Sequence, residues 1–471
     1  MSNEMNHALK NAQIIDGLIQ LREEITPLQI AEGLARVGGT FIPPTDEQAA
    51  IIGSRHWGPA VVIAGAGSGK TETMTQRVLW LVANGVVAPS EILGLTFTRK
   101  AAGELTSRIQ KRLRQLRKAN MLPSDAYGPL EIAVDISTYH SYAGRVLSQH
   151  GIRLGIDAEI EPLGEAAAWQ LFSEIVAEFP RTLHPIDKSP NTVVDAIISL
   201  SSQIAEHNRT PQEVRDATES LLEKFATIDP AKSNADVTKA ISVAQERLSI
   251  LPMVEIADKK RRDEALLTFD DHMSLAATLV SSIDDVALAE RAKYKVVLLD
   301  EYQDTSASQI RFLSALFKSA PSDAFSITAV GDPQQAIYGW RGASADTLQR
   351  FAGDFLDDLD TSHCEKFTLL TSWRNDRVIL DFANQIIDQI SVRSSAQGRV
   401  RQVDRLALSK KAGLGELVAG RYLTAREEAL AIAERFEKLW NDPARIDQPE
   451  ADRSSFAVLI RAKSYLSLIH I

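Results

Sequence analysis

The chain has 471 residues, 44% apolar and 24% charged, which allows a sizeable core and about three domains by length. A single cysteine, Cys364, excludes a disulfide framework and any cysteine-rich zinc or iron–sulfur site within the chain. The formal net charge of −10 argues against generic polyanion binding, so any phosphate contacts must come from local clusters of charge. No apolar run approaches the length of a membrane span, and no basic region precedes an apolar block at the N-terminus, so a cytoplasmic location is expected.

Residues 1 to about 40 read as a helical extension, with Ile14, Leu18 and Leu21 on one apolar face and Leu28, Ile30, Leu34 and Val37 on a second. Thr45 or Asp46 can then cap a short helix in which Gln48 falls where a capping box places it. The Gln48 amide can equally donate to and accept from the edge of an adenine.

Val61 to Ile63 read as a buried strand that runs into Ala64, Gly65, Ala66, Gly67, Ser68, Gly69, Lys70 and Thr71. Small residues between a strand and a helix let backbone N–H groups converge on an anion at the positive end of the helix dipole. In such a loop Lys70 reaches β- and γ-phosphates and the Thr71 hydroxyl ligates Mg²⁺. The strict pattern opens with Gly, where this chain has Ala64. A second strand, Glu91 to Thr98, leads into a run with eight basic residues between Arg99 and Lys118 against one acid, Glu104. That run is either a solvated helix face or a phosphate-contacting one. A third strand, Ile132 to Ile136, ends in Ser137-Thr138-Tyr139-His140. Strands alternating with helices imply a parallel sheet with ligands at its carboxyl edge.

From about Gly144 to Ala265 helical periods replace this alternation, as expected of an inserted helical domain. The sheet resumes with Lys295 to Leu299, which delivers Asp300 and Glu301. Opposite a phosphate loop, Asp300 would hold Mg²⁺ through its waters and Glu301 would orient and deprotonate the attacking water. The same two acids could instead sit at a helix N-terminus favoured by its dipole. A strand from Phe325 to Val330 precedes a segment in which Tyr338, Trp340 and Arg341 alternate with glycines, a composition suited to stacking on single-stranded bases, although Trp340 could also be a core residue. Phe367 to Leu370 delivers Trp373 and Arg374, the latter a candidate for stabilising γ-phosphate charge. Thr424 to Leu439 reads as a helix with a capping Thr, and Phe456 to Arg461 as a last strand.

Taken in order, Pro44-Thr45-Asp46-Glu47-Gln48, Ala64 to Thr71, Thr96-Phe97-Thr98-Arg99-Lys100-Ala101-Ala102, Thr138-Tyr139-His140-Ser141, Leu299 to Thr305, Gly331 to Ala343 and Ser372-Trp373-Arg374-Asn375 resemble the motifs of UvrD/RecB-type superfamily 1 DNA helicases. The resemblance implies an α/β P-loop NTPase: a RecA-like parallel sheet with an inserted helical domain and an incomplete second RecA-like domain. It divides the chain into an extension at 1–40, a first motor domain at 41–143 and 266–366, the insert at 144–265 and the start of a second motor domain at 367–471. It further implies ATP and Mg²⁺ as cofactors and single-stranded and partly duplex DNA as partner, with movement 3′-to-5′ in DNA repair or recombination.

Under this resemblance Gln48 reads adenine, Trp373 stacks on it where relatives have Tyr, Gln335 senses the γ-phosphate and Arg374 is an arginine finger. Phe97, Tyr338 and Trp340 match base-stacking positions, whereas Thr96, His140 and Arg341 match positions near the DNA backbone. Arg99 stands where the family has Asn and keeps a charge compatible with phosphate contact. Later family motifs are not in the chain, which is expected to be the N-terminal part of a longer protein. The competing expectation is a truncated module that binds ATP and single-stranded DNA with little or no turnover. A small-molecule kinase would share the phosphate loop but leaves the stacking aromatics without a purpose.

Overall fold

The computed structural model describes residues 12–15, 18–21, 24–123, 133–155, 163–179, 188–227, 235–264, 266–318, 325–339, 346–356, 361–396, 404–450 and 453–460. The first elements among the described residues are two strands, β1 (Ala12–Ile15) and β2 (Leu18–Leu21), paired antiparallel with Ile15 opposite Leu18. This corrects the helix expected around Ile14, Leu18 and Leu21. The physical cue is the Asp16-Gly17 dipeptide between the strands, a strong hairpin signal that outweighs an apolar spacing compatible with either structure. Helix α1 (Pro27–Arg36) follows as expected, started by a Thr26–Gln29 capping box. Helix α2 (Asp46–Ile52) begins with a second capping box, from Thr45 to Gln48.

The main body is a six-stranded parallel sheet in the order β5-β4-β6-β7-β3-β8. In chain order its elements begin with β3 (Gly58–Ala64), α3 (Lys70–Ala83), β4 (Ile92–Thr96), α4 (Arg99–Lys118), β5 (Asp135–Thr138) and α5 (Tyr139–His150). After an excursion through α6 (Glu165–Glu178), α7 (Pro190–Glu206), α8 (Pro211–Ala226) and α9 (Ala235–Asp263), the chain returns with α10 (Phe269–Ser282), α11 (Asp284–Lys293) and β6 (Val296–Leu299). Helix α12 (Ala307–Phe317), β7 (Ser326–Gly331), α13 (Thr347–Phe355) and β8 (Glu365–Leu369) complete it.

Because side chains alternate across a strand, each apolar strand serves two cores. Val61, Leu95, Val297, Leu299 and Ile327 pack on one face with α5, α10, α12 and α13. Val62, Ala64, Val296, Leu298 and Val330 pack on the other with α1 to α4. Both faces are thus covered, which a parallel sheet requires.

Helices α6, α7 and α9 share a third core around Phe172, Ile197, Leu251 and Val254, separate from the sheet. Helix α5 belongs to the sheet's core instead, so the separate helical core begins at α6. Helix α9 runs on through Pro252 to Asp263. Buried Arg261 donates to Ser201 of α7 at 3.2 Å and to Asp271 of α10 at 2.7 Å, tying the helical body to the sheet's return.

The strand read at Phe367 to Leu370 as the opening of a second domain is β8, at the edge of the first sheet, with Phe367 paired to Val62. Residues 371–372 form a short β9 that pairs with β10 (Ala407–Leu408). A second compact unit comprises residues 376–383 and 413–471. It contains α15 (Ala425–Trp440), capped by Thr424 and Glu427, and Phe436 against Phe456 with ring centroids 5.4 Å apart; α14 (Arg377–Ala396) passes from this unit back into the first. Residues 454–460 form no strand, a correction to the one expected from Phe456. A lone apolar run takes up strand geometry only beside a hydrogen-bonding neighbour, and none pairs with it among the described residues.

Arg77 fixes α2 against α3. Its buried guanidinium donates to the carbonyls of Ile51 at 2.7 Å and Ser54 at 3.0 Å, and burial lowers its pKa to about 10, opposed by the Glu365 carboxylate. Arg77→Leu strands these carbonyls, at about 1–3 kcal/mol for each buried unsatisfied group. Urea denaturation is expected to show a loss of that order; an unchanged midpoint would refute the role.

Candidate functional site

The carboxyl ends of β3, β4, β6 and β7, and the segment after β8, converge on one edge of the sheet. At the end of β3 the chain turns through Gly67 at φ 74° and Gly69 at φ 88°, left-handed conformations that suit glycine, and enters α3 at Lys70. A Cβ at Gly67 would lie 2.6 Å from that of Arg374, so the loop is also too tightly packed there for a side chain.

The segment after β8 holds this loop in place. Gly65 N–H donates to the Leu369 carbonyl at 3.2 Å, Ser372 Oγ to the Ala66 carbonyl at 3.1 Å, and Trp373 N–H to the Gly67 carbonyl at 2.9 Å. Arg374 and Trp373 are thereby brought to the loop, and both are exposed. From the opposite side, Gln48 accepts from Thr45 N–H at 3.1 Å and points its Nε2 at the Ser68 carbonyl, 3.5 Å away. One amide thus closes the capping box and reaches the loop. The buried Ser68 hydroxyl, in the turn, has no hydrogen-bond partner among the described residues.

Across the loop, Lys70 Nζ lies 3.3 Å from Glu301 Oε2. Glu301 itself is left-handed at φ 51°, a conformation that costs a non-glycine residue about 1–2 kcal/mol and that recurs at functional sites. Asp300 is buried, and its Oδ1 accepts from Glu301 N–H at 3.1 Å. Burial and then the Glu301 carboxylate push the Asp300 pKa up to about 7, against the opposing pull of Lys70. Among the described residues no group of three or more His, Cys, Asp or Glu is placed to hold a metal. One carboxylate and one hydroxyl, Asp300 and Thr71, nevertheless fit Mg²⁺, which keeps most of its waters and takes the rest from phosphates.

Sequence reasoning missed Gln303, which organises this cluster from within the Asp300 to Thr305 block. Its Nε2 donates to Glu301 Oε2 at 2.8 Å and to Asp304 Oδ2 at 3.2 Å, while its Oε1 accepts from Asp332 N–H at 3.0 Å. Gln335 Nε2 donates to Asp332 Oδ2 at 2.6 Å, extending the chain of bonds. Tyr139 was also missed; its buried hydroxyl donates to the Asp300 carbonyl at 2.9 Å. The only available signal was position, because each stands beside a residue already singled out.

Farther along the same edge, Phe97 at the end of β4 and Tyr338 beyond β7 meet ring to ring, with centroids 4.7 Å apart. Thr96 is buried, whereas Arg99 is exposed at the start of α4 and His140 is half-buried at the start of α5. Trp340 and Arg341 lie outside the described residues.

A glycine-rich loop between parallel strand β3 and a helix, facing an acid pair at the end of β6, two strands away in the sheet, defines a P-loop nucleotide-hydrolase fold of RecA-like type. The sequence model of the UvrD/REP helicase N-terminal domain matches residues 45–356, and the chain belongs to that family. An ATP-dependent DNA helicase PcrA of Staphylococcus aureus (strain Mu50) is 27% identical over 340 residues, covering 71% of this chain and 39% of that protein. The protein of the same name from Bacillus subtilis (strain 168) is 26% identical over 369 residues, covering 78% and 43%. The chain therefore spans about two fifths of the length of these relatives.

The raised Asp300 pKa makes stability depend on pH in magnesium- and nucleotide-free buffer. Between the ordinary value of 3.8 and about 7 the folded state holds a proton that the unfolded state releases. Stability from this group is thus full below about pH 4 and declines as pH rises through 7. Asp300→Asn is expected to flatten the decline and to gain on the wild type at pH 8, as read by denaturant midpoints across pH. Parallel pH profiles would refute the assignment.

Proposed function

We propose that this chain is the ATP-hydrolysing motor portion of a DNA helicase that moves 3′-to-5′ along single-stranded DNA and opens partly duplex substrates in repair or recombination. The observation that carries this reading is the Lys70–Glu301 contact across the phosphate loop, beside buried Asp300. No helix among the described residues is long and apolar enough to cross a membrane, in keeping with a cytoplasmic nucleic-acid enzyme.

In this reading the turn from Ala64 to Gly69 cradles phosphates, with the partnerless Ser68 hydroxyl available to an oxygen. Gln48 and Trp373 bracket adenine. Mg²⁺, when bound, neutralises developing phosphate charge, and Thr71 and Asp300 would hold it. Lys70 neutralises Glu301 at rest; a phosphate that draws Lys70 to itself frees the carboxylate to deprotonate the attacking water. Gln335 reads the γ-phosphate while bonded to Asp332, and Arg374 stabilises charge leaving it.

DNA lies along the Phe97–Tyr338 edge, with Trp340, Arg341, Thr96, Arg99 and His140 as further contacts. The 41–143 and 266–366 segments form the first motor domain, residues 144–265 its insert, 1–40 an N-terminal extension, and the chain after β8 to residue 471 the start of a second motor domain.

Lys70→Ala is expected to abolish ATP turnover stimulated by single-stranded DNA. Glu301→Gln should lower turnover by at least about 10²-fold with nucleotide affinity retained, and Arg374→Ala by about 10³-fold. Phosphate release with and without oligothymidylate reads all three. Tight ATP and DNA binding without turnover in the unaltered chain would instead establish the binding-module reading. Phe97→Ala and Tyr338→Ala should each weaken oligonucleotide binding by about 1–3 kcal/mol in fluorescence anisotropy; unchanged affinity would remove these rings from the DNA path.

A further inference from the structure

A cavity of about 250 Å³ lies between α1, the 38–42 segment, α3 and α4, and neither Lys70 nor Glu301 lines it. It is partly built from residues that precede the family match, since α1 and the 38–42 segment lie before residue 45. Helix α4 buries Leu105, Ile109, Leu113 and Leu116, and this fixes which of its polar residues turn toward the cavity. Arg108, Lys111, Arg112 and Gln115 follow the 3–4 residue spacing that puts them on one helix face, and all four line it.

The charges in the lining do not cancel. Its one acid, Glu72, is bonded to Arg112 and accepts from Gln76 at 3.0 Å. Arg108 and Lys111 have no ion-pair partner among the described residues and stand exposed at the rim. Two uncompensated cations, over a lining that mixes Thr40, Gln76 and Gln115 with Ala31, Leu34 and Ile42, select an anion. The volume is several times the roughly 30 Å³ share of a water molecule, which leaves room for a phosphate or diphosphate group. A cation would meet only a carboxylate already neutralised by Arg112.

We infer that this cavity is a second phosphate site, distinct from the phosphate loop, with Arg108 and Lys111 as its ligands. The phosphate comes either from the backbone of bound DNA or from a free phosphorylated small molecule. Only the DNA source rests on the proposed function; the site's anion chemistry stands apart from it.

Arg108→Gln/Lys111→Gln, both changes at exposed positions, tests the assignment, with circular dichroism melting to confirm the fold. Calorimetry of pyrophosphate in a Lys70→Ala background compares the cavity with and without its two cations. Anisotropy of labelled oligothymidylate against salt concentration does so for DNA. If the source is free phosphate, pyrophosphate affinity falls at least about tenfold in the double variant and the DNA salt slope stays unchanged. If it is DNA, the slope of log affinity against log salt shrinks by about 1.4, two contacts at about 0.7 each for a single strand. Arg114→Gln/Lys118→Gln removes the same charge from α4 outside the cavity. Equal effects from this control, or no effect of the first pair on either ligand, overturn the site. A chain that binds no DNA at all but still loses pyrophosphate affinity would sink the DNA-motor reading and leave the cavity assignment intact.

Discussion

Everything at the carboxyl edge depends on holding an unusual piece of backbone still. The phosphate loop has glycines at two left-handed positions and no regular partner of its own, so the surrounding chain must supply one. It does so from two sides: backbone and side-chain bonds from residues 369–373, and the Gln48 amide approaching Ser68. Arg77 then anchors the helix that carries Gln48 to the helix that the loop begins. The bonds from Ser372, Trp373 and Gln48 take the loop carbonyls of Ala66, Gly67 and Ser68 as acceptors, whereas the N–H groups of Gly65 and Ser68 are engaged by the carbonyls of Leu369 and Gly65.

The second constraint is electrostatic. Asp300 is buried next to Glu301, and two carboxylates so close share their charge at a cost that Lys70 only partly offsets. Gln303 helps to make the arrangement tolerable, because one amide donates to Glu301 and Asp304 and accepts from Asp332 N–H. Asp304 in turn accepts from Ile337 N–H at 3.3 Å, one residue before Tyr338. A continuous set of hydrogen bonds therefore runs from the acid that faces Lys70 to the aromatic edge.

The sheet was legible in the sequence because its strands are buried on both faces and so appear as short apolar runs ending in polar motifs. Val61 to Ile63, Lys295 to Leu299 and Phe325 to Val330 illustrate this; the last two are observed within a residue of their expected bounds, while the first begins earlier, at Gly58. The third strand lay less clearly: it is observed at Asp135–Thr138, running past the expected end at Ile136, while Ile132 lies outside the described residues, and its half-buried edge position weakens the apolar signal. At Ile14 to Leu21 periodicity could not separate helix from hairpin. Gln303, Ser372 and Tyr139 were invisible for another reason: their roles are bonds between segments far apart in the chain, which no local pattern encodes. The destination of β8 was hidden likewise, since an apolar strand does not announce which sheet edge it will join.

The placement of β8 also bears on how Arg374 could act. The family match ends at residue 356, yet the residues that grip the phosphate loop come after it. Arg374 follows directly on a segment paired through β8 with β3, so it reaches the loop as an extension of the first sheet's edge. Carrying it away would break the Trp373–Gly67 and Ser372–Ala66 bonds, at a net cost of about 0.5–1.5 kcal/mol each. That total is well below the roughly 8 kcal/mol of a micromolar ligand. A nucleotide whose affinity differs between the gripped and released states by even part of that amount suffices to switch the arginine between them. The contact is thus strong enough to hold Arg374 beside the loop and weak enough for the binding energy of a ligand to displace it.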